Sequence, residues 1–281
     1  MTAPVGGDRK SAVMPPGGGE EVREAAGRIG GEPRVLGRPL VKHRCGNSAT
    51  WLRYPRRVTR PEFERARSAE AKRIREAAIL EAATRLAGEH GVRAVTLTAI
   101  AAAVGMHKSA MLRYFETREE IFLRLSGNGW AEWSQDVRGR LADEGAASGE
   151  ARISVVASTL ADSLVARPLF CDLLAHTPLS LERGVSFAAV RSFKVRALAE
   201  AESVGAALCR SLPLTPRQAG NVVATATAMA GAMWQMAAPG TELRRFYEDT
   251  PELTHALIDV GPRLTDILTA LLHGYCADTA A

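Results

Sequence analysis

Residues 96–118 read Thr-Leu-Thr-Ala-Ile-Ala-Ala-Ala-Val-Gly-Met-His-Lys-Ser-Ala-Met-Leu-Arg-Tyr-Phe-Glu-Thr-Arg, and this stretch decides the fold. Thr96 suits a helix start, because its hydroxyl can accept a backbone N–H that the first turn leaves without a partner. A helix then runs over Leu97–Ala103. Ile100 and Val104 are four apart and face one side, toward a core. Ala101 is small where a second helix has to cross closely. Gly105 falls where the chain turns, and glycine takes up a left-handed backbone at little cost. Met111 anchors the second helix to the first. Small residue, glycine and apolar residue at these offsets give the spacing of a helix-turn-helix, which presents its second helix to the major groove of DNA. The same offsets also recur in ordinary pairs of core helices, so the surroundings have to decide.

Those surroundings run from about Arg75 to Leu125. Ile79-Leu80-x-Ala82-Ala83 and Leu86 lie on a first helix, followed by Gly91, Val95-Thr96 and Ile100-Ala101. Val104-Gly105-Met106 follows, and the stretch closes on Arg113-Tyr114-Phe115-x-x-Arg118-Glu119-Glu120-Ile121. In this combination the chain resembles the TetR/AcrR family of bacterial one-component regulators. The resemblance implies an all-α homodimer. Its N-terminal three-helix helix-turn-helix domain would bind DNA, and a larger helical domain would bind a small molecule and dimerise. The candidate DNA-facing residues are Thr96, Thr98, His107, Lys108, Ser109, Ala110, Leu112, Arg113, Tyr114 and Arg118. Lys108 and Arg118 are the expected phosphate contacts, and base reading is expected from Ser109, Ala110 or Arg113.

Four positions depart from the family pattern. His107 stands where a serine or threonine usually caps the recognition helix, and Ser109 where a glycine usually follows the lysine. Leu112 replaces a phosphate-contacting tyrosine and has no hydrogen bond to give. Tyr114, two residues on, faces another direction. Arg118 replaces a lysine and keeps its charge.

Composition agrees with a helical regulator. Hydrophobic residues make up 46% of the 281, enough for a sizeable core, while aromatics are only 5% and alanine is abundant, which favours helices over a sandwich. Charge is uneven along the chain. Residues 1–68 carry 14 basic and 7 acidic side chains, residues 69–125 carry 9 and 7, and residues 126–281 carry 13 and 17. The N-terminal part therefore attracts polyanions and the C-terminal part does not. Cys45, Cys171, Cys209 and Cys276 form no Cys-x-x-Cys pair, which argues against a zinc finger or a disulfide framework and suits a reducing cytoplasm. Residues 1–40 lack the continuous apolar stretch of a secretory signal. The uncharged stretch Asn221–Ala238 is rich in alanine, threonine and methionine and reads as a buried interface helix, so no membrane partner is expected.

Three parts are expected. Residues 1–67, broken by Pro15-Pro16-Gly17-Gly18-Gly19 and Gly30-Gly31, read as a disordered basic extension. Either Arg53, Arg56, Arg57 and Arg60 add phosphate contacts, or translation starts later, at Met14 or at Val58. Residues 68–118 form the DNA-binding domain. Its first helix is expected over Ser68–Glu89, capped by Ser68, with Ile74, Ala78, Ala82 and Leu86 on one face and Gly91 as its stop. Arg65, Arg67, Lys72 and Arg73 at its start are placed near DNA.

Residues 119–276 form the effector-binding and dimerisation domain. A fourth helix is expected from Thr117 to about Leu141, kinked at Gly127-Asn128-Gly129, with Asp143–Gly149 as a linker. Helices Ile153–Val165, Leu169–His176, Val185–Leu212, Pro216–Ala238 and Glu252–Tyr275 follow. The last two carry the dimer interface as a four-helix bundle, with Ala224, Ala228 and Ala232 allowing close approach.

Trp130, Trp133, Phe170, Leu174, His176, Phe187, Phe193, Lys194, Met233 and Trp234 are candidates for a ligand pocket, each also readable as core packing. Lys194 either orients an anionic ligand or reaches to solvent. Asp172/His176 and His255/Asp259 are four apart on helices, yet two ligands do not make a metal site, and capping or surface polarity explains them. No metal, cofactor or enzymatic nucleophile is expected. The reading is a dimeric regulator that binds a double-stranded operator, a repressor released by a small molecule. One alternative is a DNA-binding protein without an effector. A remote one is a helical enzyme with a vestigial helix-turn-helix.

Overall fold

The computed structural model describes residues 60–143, 149–237 and 239–278, with side chains from residue 69 onward, and these residues form α-helices and short turns without a strand. Residues 1–59 of the expected extension 1–67 lie outside the described residues, as do the side chains of Arg60, Arg65 and Arg67. Helix α1 spans Arg60–His90 and so begins eight residues before Ser68, taking in residues assigned to the extension. Pro61 sits in its first turn, where a missing N–H costs no hydrogen bond. Ser68 is therefore inside the helix and not at its start. The core face of α1 is Ile79, Ala82, Ala83 and Ala87. Ile74, expected on that face, is 62% exposed, because the helix runs out past the core before Ile79. Gly91, at φ 78°, stops it in the left-handed region that glycine tolerates.

A 3-10 turn over Val92–Ala94 leads to α2 (Leu97–Ala103), α3 (Lys108–Met111) and α4 (Arg118–Asp143). Helix α4 runs as one continuous helix through Gly127-Asn128-Gly129. Its glycines permit close approach. A Cβ at Gly129 would run into the Phe170 ring, and one at Gly127 would lie 3.7 Å from Phe193. The first half of α4 gives Ile121, Phe122, Leu123 and Leu125 to an N-terminal core, and the second half gives Trp133, Val137 and Leu141 to a C-terminal one. One continuous helix thus belongs to both.

The chain continues through α5 (Gly149–Val165), α6 (Pro168–His176), a π-turn over Thr177–Leu181, α7 (Phe187–Ser211) and α8 (Pro216–Ala237). Of the expected linker, Asp143 closes α4 and Gly149 opens α5, and the residues between lie outside the described ones. A short helix not foreseen, α9 (Glu242–Glu248), is capped by Thr241, whose hydroxyl accepts the Arg244 N–H at 3.2 Å. The expected single helix Glu252–Tyr275 is two pieces, a 3-10 turn over Pro251–Ala256 and α10 (Val260–Asp278). Pro262 explains the break, since proline is tolerated in the first turn of an α-helix and not in its interior. Val260, Leu264, Leu268 and Leu272 recur every four residues as the buried stripe of α10, which packs on α5 and α8. Helix α8 buries Ala219, Val222, Val223, Ala226, Ala230 and Met233, while Ala224, Ala228 and Ala232 face outward. Among the described residues no single helix is long and apolar enough to cross a membrane.

Candidate nucleic-acid interface

The helix-turn-helix is assembled from local hydrogen bonds and two deep apolar anchors. The Thr96 hydroxyl accepts the Ala99 N–H at 3.1 Å and starts α2. Gly105 takes φ 65°, and the Met106 N–H closes the turn on the Ala101 carbonyl at 2.8 Å. Helix α3 has only four residues, and turns extend it: the Tyr114 N–H donates to the Met111 carbonyl at 2.9 Å. His107 makes no side-chain cap, although the Ala110 N–H reaches its carbonyl at 2.9 Å. Met111 and Phe115 are buried against Ile100, Ala101 and Ile79 in one core.

That anchoring decides what stays outside. His107, Lys108, Ser109, Leu112 and Arg113 are exposed, as are Thr96 and Thr98 at the start of α2. Ala110 is half-buried, and so is Tyr114, which packs against the N-terminal core. Leu112 is 54% exposed, an apolar side chain in the middle of a polar row.

Arg118 is placed differently from the rest. It opens α4, where the Thr117 hydroxyl accepts the Glu120 N–H at 3.1 Å. Its guanidinium turns inward, donating through Nε to the Val95 carbonyl and through Nη2 to the Val92 carbonyl. Its Nη1 meets Glu119 at 3.0 Å, and it lies 4.7 Å from the centre of the Phe122 ring. The fork that was expected on a phosphate is spent on the protein's own backbone.

The same 3-10 turn is gripped from the other side. The Val92 N–H donates to Asp172 Oδ2 of α6 at 2.7 Å. Asp172 Oδ1 accepts Gln235 Nε2 of α8 at 2.8 Å and pairs with His176 Nε2 at 3.3 Å. Burial alone would raise the Asp172 carboxyl, but bonds from His176, the Val92 N–H and Gln235 outweigh it, and the net shift is downward. Asp172 was read as capping or surface polarity. It is instead a buried tie between the helix-turn-helix and the C-terminal helices, and Gln235 and Val92 were missed with it. The sequence holds no signal for this contact, which spans 80 residues.

The ten candidates for a ligand pocket do not line one space. Trp130, Trp133 and Phe170 form an aromatic cluster with ring centres 5.6 to 6.2 Å apart. Trp133 is fully buried and donates from its indole N–H to Ser163 Oγ at 2.9 Å. Leu174 backs onto α8 beside Gly231, where an added Cβ would lie 3.2 Å from it. His176 is tied to Asp172. Phe193 belongs to the N-terminal core, while Met233 and the half-buried Trp234 belong to the C-terminal one. Two expectations are corrected. Phe187, the first residue of α7 behind the Ser186 cap, is 94% exposed and lines no interior. Lys194 is paired with Glu182 at 2.7 Å, which occupies the charge expected to orient an anion. Among the described residues no group of three metal-ligating side chains forms, and His255 Nδ1 lies 3.1 Å from the Glu252 carbonyl.

The sequence matches the family model of bacterial regulatory proteins of the tetR family over residues 79–125 and that of the tetracyclin repressor-like C-terminal domain over residues 128–279. The second match alone takes in more than half of the chain. The chain belongs to the TetR family. It is thereby a DNA-binding regulator of transcription by family, with an N-terminal helix-turn-helix and a helical C-terminal domain. No curated protein matches it in sequence. Among solved structures, the fatty acid degradation regulator FadR from Bacillus halodurans shares 14% identity over 70% of this chain and 98% of its own, at a TM-score of 0.47. A TetR/AcrR regulator from Thermobifida fusca shares 19% over 72% and 98%, at 0.44. AmtR from Mycobacterium smegmatis shares 19% over 70% and 92%, at 0.36.

Proposed function

We propose that this TetR-family protein is a homodimeric repressor, without enzymatic activity of its own, whose α3 face binds operator DNA and whose C-terminal helices carry the release signal. The observation that supports this most is the division of α3. Met111 is buried in the core, while Lys108, Ser109 and Arg113 are exposed next to His107 and the two threonines of α2. A short helix held by its apolar side alone leaves the polar side free for a groove. Lys108 contacts phosphate, and Ser109 and Arg113 reach base edges. Ala110 and Tyr114 are secondary because both are half-buried, and Arg118 supports the interface from inside.

A dimer is needed to set two such helices about 34–36 Å apart on successive grooves. The outward faces of α8 and α10 suit it, since Ala224, Ala228, Ala232, Ala270 and Gly274 are exposed and small. Release then follows from Asp172, because a ligand that shifts α6 pulls on Val92 and hence on the start of α2. An effector changes DNA affinity only through its different affinity for the two arrangements. The filled aromatic cluster around Trp133 favours a second reading, a regulator without an effector in the interior of its C-terminal domain.

The test is a footprint on the DNA upstream of the protein's own gene at two salt concentrations, with Ala228→Arg as companion. Protection that weakens steeply with salt is expected. Ala228→Arg is expected to sediment as a folded monomer and to lose protection. A footprint indifferent to salt, or a dimer unaffected by Ala228→Arg, contradicts the proposal.

A further inference from the structure

A cavity of about 440 Å³ lies where α1, α4 and α6 meet, beside the aromatic cluster, which gives it Phe170, and away from the α3 face. Its volume is in the range of small-molecule sites. The floor is apolar, made by Leu80, Leu125, Leu173 and Phe170. Glu81 of α1 and Glu132 of α4 bring carboxylates to its walls, and both are exposed there without an ion-pair partner among the described residues. Arg85, one turn from Glu81, is engaged with Glu89. The one cation on the lining, Arg167, donates to Asp136 at 2.9 Å and to the Ser163 carbonyl at 2.7 Å. The space therefore combines an apolar floor with two uncommitted negative charges.

We propose that this junction binds an amphiphilic organic cation. Its hydrocarbon or aromatic body would rest on Leu80, Leu125 and Phe170, and its positive group would lie between Glu81 and Glu132. The chemistry excludes the alternatives. An organic acid would meet two carboxylates of its own sign, and a small hydrated cation would leave the apolar floor uncovered. A charge spread over a large apolar body is desolvated at lower cost and satisfies both surfaces.

The position gives the ligand a lever. It touches α1 of the helix-turn-helix and α6 of the C-terminal region at once. Phe170 on its floor is two residues before Asp172, which holds the Val92 N–H. An occupant that parts α1 from α6 lengthens that bond. This consequence rests on the regulator reading above, while the binding itself does not.

The test uses the full chain and calorimetric titration with tetraphenylphosphonium and with tetraphenylborate, an anion of the same shape. The phosphonium is expected to bind and the borate is not, and E81Q/E132Q is expected to weaken the phosphonium at least tenfold. Thr84→Trp, which fills the cavity from α1, is expected to weaken the phosphonium as well. If the double variant melts early, the single variants E81Q and E132Q replace it, each with a several-fold loss. Absence of phosphonium binding, or phosphonium binding indifferent to E81Q/E132Q and to Thr84→Trp, overturns the site. DNA affinity measured on the same samples separates the two claims. Phosphonium that binds as expected but leaves DNA affinity unchanged upholds the site and contradicts release through it.

Discussion

Helix α3 and the turn Val92–Ala94 are both only a few residues long, and they are held by opposite means. Helix α3 is fixed by the apolar bulk of Met111 and Phe115, so its polar side chains are free. The 3-10 turn is fixed by polar bonds on both sides, from Arg118 to its carbonyls and from its first N–H to Asp172. Charge near a helix-turn-helix therefore divides into two kinds. Lys108 and Arg113 are uncommitted and available to DNA, whereas Arg118 and Asp172 are used up inside the protein.

Breaking the turn should cost more stability than a change at any exposed position of α3. Asp172→Ala leaves the buried Val92 N–H without an acceptor and releases the Gln235 amide, a loss of roughly 3 kcal/mol read as a lower melting temperature. The same carboxylate sets an acid dependence. Its folded-state pKa lies below the ordinary value, so its contribution is full above about pH 4 and disappears as pH falls through the depressed value. Stability of Asp172→Asn, compared with the parent between pH 5 and 2, should therefore fall less steeply.

Arg118→Ala should follow at about 2 kcal/mol, since two carbonyls lose their donor. Arg118→Lys should recover little of this, because an ammonium cannot reproduce the fork. The smallest effect belongs to α3. Leu112→Tyr places a hydroxyl in the exposed row and should tighten operator binding roughly threefold, about 0.7 kcal/mol, with an unchanged melting temperature. A melting temperature lowered by Leu112→Tyr as much as by Arg118→Ala would erase the distinction between the two regions.

How legible each region was follows from the range of its contacts. Thr96, Gly105 and Met111 act within a few residues of themselves, and helical spacing placed α2 and the turn after it correctly. Arg118 reaches 23 residues back and Asp172 reaches 80, and no local pattern encodes either. An arginine at a helix start beside a DNA-binding segment looks the same whether its fork meets phosphate or backbone. Phe187 shows the limit of apolar patterning, because its type suggested an interior and only the fold puts it outside. Pro262 shows the reverse. Its restriction on helices was present in the sequence, but the apolar stripe from Leu264 to Leu272 drew the expected helix through it. The α1–α4–α6 cavity was illegible for the same reason as Asp172, because Glu81 and Glu132 meet there only through packing.

The central claim is that the free charges of α3 bind DNA and the committed charge of Arg118 does not. Salt titration of operator binding, for the parent, Lys108→Ala and Arg118→Ala, tests it most directly. With each variant corrected for its folded fraction, Lys108→Ala should reduce the slope of log K against log salt by about 1, and Arg118→Ala should leave it unchanged. A reduced slope for Arg118→Ala together with an unchanged slope for Lys108→Ala would contradict the account.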